Sequence, residues 1–284
     1  MIWEKIDLHH KDVLYERFRN ISEPLSEYTF ANIFLFRGTH EYEIGRNGEP
    51  VLRGRTYDGK PYIQPVNNLQ AYPKEKLLEL QKDADFFFPV SEESLALLDP
   101  ESIEYTSDEA DSDYIYTREK MATYAGRKLH KKRNLMKQFR EEYAGTSRPI
   151  CGEVKEDALY ILEKWQEQAD LPKEQTDYRA CLEALTHCEE LVLCGEIYYA
   201  DGRPCGFILG EELNSDTYVM HFAKGLVDFK GVYQYIFNEF ANHLPEKYKY
   251  INFEQDMGKE SLRQSKRSYL PDLLLKKYRV RFKG

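Results

Sequence analysis

Apolar positions along this chain keep two rhythms, one returning every three or four residues and one alternating. The first predicts helices over residues 9–19, 73–82 and 92–98. The second predicts a strand at 103–106 and strands flanking the turn dipeptides Asn47-Gly48 and Asp58-Gly59. The unbroken run from Phe86 to Val90 reads as a strand buried on both faces. Beyond an acidic loop at 107–113 the helical period returns. Met121, Ala125, Leu129, Met136, Phe139 and Tyr143 fall on one stripe, which predicts a helix ending near Gly145.

The second half repeats this grammar. Ala158, Leu162, Trp165 and Ala169 make one helical stripe, and Tyr178, Cys181, Leu182, Leu185 and Cys188 make another. Strands at 191–199 and 204–211 flank Asp201-Gly202, and a third follows at 217–223. Tyr233, Ile236, Phe237, Phe240 and Leu244 predict a further helix. A strand at 250–254, a short basic helix stopped by Pro271 and an alternating strand at 275–282 complete the chain. Each half therefore predicts helices, a hairpin-rich sheet, then helix and strand again. That order implies two α/β lobes side by side with a cleft between them, residues 1–145 and residues 146–284. The halves share no appreciable sequence identity.

Charge changes the picture at one place. The chain carries a net charge of −9 and a pI near 5.4, which argues against a general DNA-coating role. Yet residues 126–134 read Gly-Arg-Lys-Leu-His-Lys-Lys-Arg-Asn. Arg127, Lys128, Lys131, Lys132 and Arg133 repel one another unless the fold or a bound anion relieves them. On a continuous helix Lys132 falls in a gap of the apolar stripe and Lys128 flanks it, which points to an anion-binding surface. A solvated basic face or internal salt bridges is the alternative.

Residues 251–269 hold a second cluster. Strand alternation turns Ile251 and Phe253 to the core and puts Asn252, Glu254 and Asp256 on the opposite face. Two carboxylates so placed resist joint ionisation, which raises one pKa and makes a general base. Gly258 permits a tight turn, and Arg263, Lys266 and Arg267 give the next helix a cationic face. Base and cation together suit acyl transfer, the cation stabilising the oxyanion. Salt bridges that merely tie the loop down are the alternative. His221 and Lys224 end a strand beside a helix N-terminus, where anions gather, although a lone strand histidine also serves as a hydrogen-bonded core residue.

Several classes lose weight. No stretch approaches the ~18 apolar residues that span a bilayer, and the first residues lack a signal-peptide pattern. The five cysteines form no Cys-x-x-Cys pair and read as reduced core residues of a cytoplasmic protein. His9, His10 and His187 have no ligand partners at metal spacing, so no metal is expected. Walker A, His-Glu-x-x-His and Gly-x-Ser-x-Gly motifs are absent.

Taken together, Tyr124 to Asn134, His221-x-x-Lys224 and Asn252-Phe-Glu-Gln-Asp-Met-Gly258-x-x-x-Leu-Arg-x-x-Lys266 resemble the phosphatidylglycerol lysyltransferase C-terminal domain family over nearly the whole chain. The resemblance implies tandem acetyltransferase-like (GNAT) lobes with mixed sheets flanked by helices, related to Fem-type aminoacyltransferases. It implies an aminoacyl-tRNA donor whose acceptor end enters between the lobes, and a small-molecule or lipid-headgroup acceptor. By the same resemblance Glu254 and Asp256 orient or deprotonate the acceptor and hold the donor amine. Arg263 and Lys266 steady the transferred carbonyl and phosphates. Arg127, Lys128, His130, Lys131, Lys132 and Arg133 receive the donor, with His221 and Lys224 as further anion contacts. Val227 to Tyr233 holds a single glycine before its helix, a poor match to the coenzyme A signature, so coenzyme A is the alternative carrier and a coenzyme A-dependent N-acyltransferase the alternative enzyme. A non-catalytic anion- or nucleic-acid-binding module is the third reading.

Overall fold

The computed structural model describes all residues except 47, 48, 68, 151 and 153, so the expected Asn47-Gly48 turn and Cys151 lie outside the described residues. Two mixed sheets flanked by helices make a mixed α/β protein. The first half contains β1 (Ile2–Lys5), α1 (Lys11–Arg19), α2 (Phe30–Leu35), β2 (Glu43–Arg46), β3 (Val51–Arg55), β4 (Pro61–Pro65), α3 (Lys74–Leu80), β5 (Phe86–Val90), α4 (Glu92–Ala96) and β6 (Ile103–Ser107). Then come β7 (Asp113–Thr117), α5 (Arg118–Thr123), α6 (His130–Glu142), β8 (Gly145–Pro149), α7 (Lys155–Ala169), α8 (Tyr178–Thr186), β9 (Cys194–Ala200), β10 (Arg203–Glu212) and β11 (Thr217–Gly225). The chain closes with α9 (Val232–His243), β12 (Tyr250–Asn252), α10 (Glu260–Arg267), β13 (Leu273–Leu275) and β14 (Tyr278–Phe282).

Two compact units result. The first comprises Met1–Tyr114, Glu254–Lys266 and Leu273–Gly284; the second comprises Ile115–Phe253 and Arg267–Asp272. This division falls elsewhere than the 145/146 boundary expected from pattern, and strand pairing explains why. β14 inserts between β5 and β6, antiparallel to both, so the end of the chain completes the first sheet in the order β1-β2-β3-β4-β5-β14-β6. β7 pairs with β12, placing Ile115 opposite Asn252, so the second unit begins at Ile115 rather than at residue 146. Its strands run β7-β12-β11-β10-β9-β8.

In the first unit Val51, Ile63, Phe87, Val280 and Phe282 pack with the apolar side of α3. In the second, Phe139 stacks on Tyr235, with ring centres 4.2 Å apart, and joins α6 to α9. Gly231 caps α9 at φ +85°, where a Cβ would come within 2.3 Å of the Leu135 carbonyl oxygen. A glycine there is what lets α6 lie so close.

Three local expectations fail. The acidic run conceals a strand, because Asp113 opens β7 and Tyr114 and Tyr116 in it are fully buried. The single basic helix is broken, since Tyr124 at φ +47° and Gly126 at φ +89° are left-handed. Arg127–Leu129 form one 3₁₀ turn before α6 starts at His130. Finally, Cys188 is disulfide-bonded, whereas Cys181, Cys194 and Cys205 are free. It lies beyond the end of α8, so the helical stripe that included it overran the element.

Candidate active site

Strand alternation stops at Asn252, and the next residues turn sharply. Glu254 (φ +58°), Met257 (φ +54°) and Gly258 (φ +72°) all adopt left-handed backbone, which is costly for the two non-glycine residues. The turn is tied to the segment before β7. The Tyr114 N–H donates to the Glu254 carbonyl at 3.2 Å, and the Met257 N–H to the Ala110 carbonyl at 3.1 Å.

Inside this turn Asp256 is fully buried. It accepts from Arg263 Nε at 2.8 Å and Nη2 at 3.0 Å, from the Tyr114 hydroxyl at 2.7 Å and from the Gly258 N–H at 2.8 Å. Burial pushes its pKa up, but these donors outweigh burial and hold the carboxyl below its ordinary range. The expected proton-sharing pair with Glu254 is therefore not formed, because the turn sends the two carboxylates to different partners. Asp256 anchors the turn as an ionised group, while Glu254 accepts from Asn32 Nδ2 at 3.0 Å.

Lys266, on α10, closes the arrangement. Its ammonium donates to the carbonyls of Glu254 at 3.1 Å and Gln255 at 2.6 Å. Burial holds its pKa down at about 8, even though Glu254, Asp113 and Asp256 favour the charged form. Gln255 Oε1 is buried with no hydrogen-bond partner among the described residues, an unusual state for a polar atom.

One residue before Tyr114 lies a network that the sequence reading missed. The Lys277 ammonium, fully buried, donates to Asp113 Oδ1 at 2.6 Å, Glu27 Oε1 at 2.8 Å and Ser26 Oγ at 3.1 Å. Ser26 in turn donates from its N–H and hydroxyl to the two oxygens of Asp113. Burial pushes the Glu27 carboxyl up to about 7 against the pull of Lys277. Buried charge with such satisfied geometry fixes the Asp113-Tyr114 backbone that carries the Asp256 contact. The available signal was the alternation Asp113-Tyr-Ile-Tyr116, which the preceding acids obscured. Asn32 was missed because α2 is buried all round and so shows no period.

The remaining expected residues belong to the second unit. Lys132 is half-buried, with its ammonium 3.7 Å from the Tyr269 ring centre and 2.6 Å from Ser268 Oγ. Burial holds its pKa down at about 8. Arg127, Lys128, His130 and Lys131 are exposed. Arg133 bonds the carbonyls of Tyr124 and Gly126, bracing the break in the helix. His221 is buried with its Nε2 3.0 Å from Glu211 Oε1. Lys224 is paired with Asp177 at 2.6 Å and lies 3.5 Å from the Trp165 ring centre. Both are committed to internal partners, which displaces the anion-contact role expected for them.

The fold also brings Glu4 beside His9 and His10. His10 Nδ1 accepts the Asp7 N–H at 3.0 Å, so in the neutral ring the proton sits on Nε2, 3.5 Å from Glu4 Oε2. That tautomer offers Nε2 as a donor rather than as a metal ligand.

A family model, phosphatidylglycerol lysyltransferase, C-terminal, matches residues 18–281. The chain belongs to this lysyltransferase C-terminal family. Membership supports an acyltransferase related to lysylphosphatidylglycerol synthase. A conserved protein of unknown function from Bacteroides thetaiotaomicron superposes with a TM-score of 0.83 at 28% identity, each chain covered over 100%. The C-terminal domain of a putative lysylphosphatidylglycerol synthetase from Agrobacterium fabrum shares the fold, with a TM-score of 0.64 and 13% identity over 95% of this chain and 92% of that one. An uncharacterized protein of Mycoplasmoides gallisepticum is 26% identical over 185 residues, 61% of this family member and 57% of its own length. The chain thus spans little more than half of that curated relative. Among the described residues no helix is long and apolar enough to cross a membrane.

Proposed function

We propose that the protein is an acyltransferase that moves an aminoacyl group from an aminoacyl-tRNA to a hydroxyl or amine acceptor. The observation that carries this reading is the turn at 254–258, where a carboxylate and a desolvated ammonium are held together by strained backbone. Family membership supplies the reaction class, and the exposed cations of residues 127–131 suit a phosphate-rich donor.

In this reading Glu254 takes the proton of an acceptor hydroxyl, whose oxygen forms a bond to the ester carbonyl carbon. Negative charge gathering on the carbonyl oxygen is stabilised by the Lys266 ammonium. The bond from that carbon to the tRNA ribose oxygen then breaks, and Glu254 returns the proton to the ribose oxygen. Gln255 Oε1 offers an acceptor to the donor's amine. Asp256, with Arg263, positions the turn rather than exchanging protons.

The test is transfer of radiolabelled amino acid from a mixture of charged tRNAs to phosphatidylglycerol vesicles and to small hydroxyl and amine acceptors. Label should leave the tRNA, and Lys266→Met should slow this about 10²- to 10³-fold, the usual loss on removing an oxyanion-stabilising group. Consumption of acetyl-coenzyme A with no transfer from any charged tRNA would refute the proposal and favour the N-acyltransferase alternative.

A further inference from the structure

The first unit holds a cavity of about 640 Å³, within the size range of small-molecule sites and bounded by β2, β3 and the segment after α2. Lys5, Arg37, Arg53 and Arg55 line it, around Tyr42 and Gly54. Gly54 lets the Tyr42 ring lie against β3, since a Cβ there would come within 2.7 Å of the ring.

The three guanidinium groups are held in place before any ligand arrives. That of Arg37 lies 3.9 Å from the Phe34 ring centre, and its Nη1 donates to the Phe34 carbonyl at 2.5 Å. That of Arg53 lies 4.4 Å from the Trp3 ring centre, with Nε and Nη2 both on Glu43 Oε2 at 2.5 Å. Arg55 donates Nε to Glu41 at 2.7 Å and Nη1 to the Gly59 carbonyl at 3.0 Å. Arg53 Nη1 and Arg55 Nη2 have no protein acceptor among the described residues, although each guanidinium offers five N–H groups. Stacked, ion-paired arginines lose little side-chain freedom on meeting an anion, which favours binding.

Charge selects the ligand. Glu41, Glu43 and Asp83 also line the cavity, leaving a surplus of one positive charge in a protein whose net charge is −9. A dianionic phosphate would be repelled by these acids, whereas a carboxylate matches both the surplus and the fork geometry of arginine. We propose that this cavity is a binding site for a small carboxylate, held by Arg53 and Arg55 with Arg37 and Lys5 beside them. The site uses none of Glu254, Asp256 or Lys266 and goes beyond the acyl-transfer reading.

Isothermal titration of the full chain with L-glutamate, L-lactate and inorganic phosphate, the first two carrying a single net negative charge, tests it, without tRNA or acceptor present. Saturable binding of glutamate or lactate is expected, with phosphate weaker. Arg53→Gln and Arg55→Gln should each weaken the carboxylate about tenfold or more, the usual cost of losing a charge-assisted hydrogen bond. Circular dichroism establishes that each variant is folded. Arg55→Lys, which keeps the charge and loses the fork, should also weaken binding and serves if a glutamine variant does not fold. The proposal is overturned by no saturable binding of either carboxylate, by phosphate binding more tightly, or by unchanged affinity in the folded variants. None of these results bears on transfer from charged tRNA.

Discussion

Replacing Glu27 with Gln removes a buried carboxyl while keeping its shape, and the structure predicts how stability should respond to pH. Burial raises the Glu27 pKa from an ordinary 4.5 to about 7, with Lys277 opposing the rise. The folded protein therefore holds this proton more tightly than the unfolded chain does. Its stabilising contribution is complete below about pH 4.5 and is lost as pH climbs through about 7. At about 1.36 kcal/mol per pH unit, the interval from 4.5 to about 7 makes about 3 kcal/mol of pH-dependent stability. Glu27→Gln cannot titrate, so this loss should vanish. Urea unfolding of both proteins at pH 5 and pH 8, followed by tyrosine fluorescence, measures the difference. Wild type should lose up to about 3 kcal/mol more than the variant between the two values. The same loss in both proteins would mean that the Lys277 network holds no titrating proton.

Further outcomes follow from other contacts. Asp256→Asn should destabilise the protein at neutral pH, and the gap to wild type should close as pH falls below about 4, since the depressed carboxyl stabilises only when ionised; thermal unfolding at pH 7 and pH 3 measures this. Transfer activity should fall as pH rises above about 8, where the Lys266 ammonium loses its proton, and a rate that instead rises there would make Lys266 a base. Lys132→Ala should lower the slope of log affinity for tRNA against log salt by about one, which filter binding across a salt series would measure. Gly231→Ala should cost about 2 kcal/mol or more in chemical denaturation, because alanine meets both a φ of +85° and the Leu135 carbonyl.

Local pattern reveals elements whose burial is one-sided. α9 follows its apolar stripe, and β9 and β10 flank Asp201-Gly202 as the turn signal requires. The candidate site was legible only in part. A shared short segment with a turn glycine marks Glu254, Asp256, Arg263 and Lys266 as candidates, but it does not show how they pair. Alternation predicts a strand past Asn252, where left-handed backbone instead reorients the acids. Asp113 and Asp111 looked like solvated loop residues because their partners, Lys277 and Arg279, lie more than 160 positions away. No periodicity reports such a pairing. The break at Tyr124 to Gly126 was hidden by a stripe that continues across it, and only Gly126 hinted at it.

If the acyl group changes hands at the turn carrying Glu254, beside the Lys266 ammonium, a donor analogue must seat there. A crystal structure with a stable amide analogue of an aminoacylated 3′-adenosine would show where it binds. The aminoacyl carbonyl should lie next to Lys266 and the amine near Gln255. An analogue seated away from residues 254–266, with those side chains unmoved and uncontacted, would contradict it.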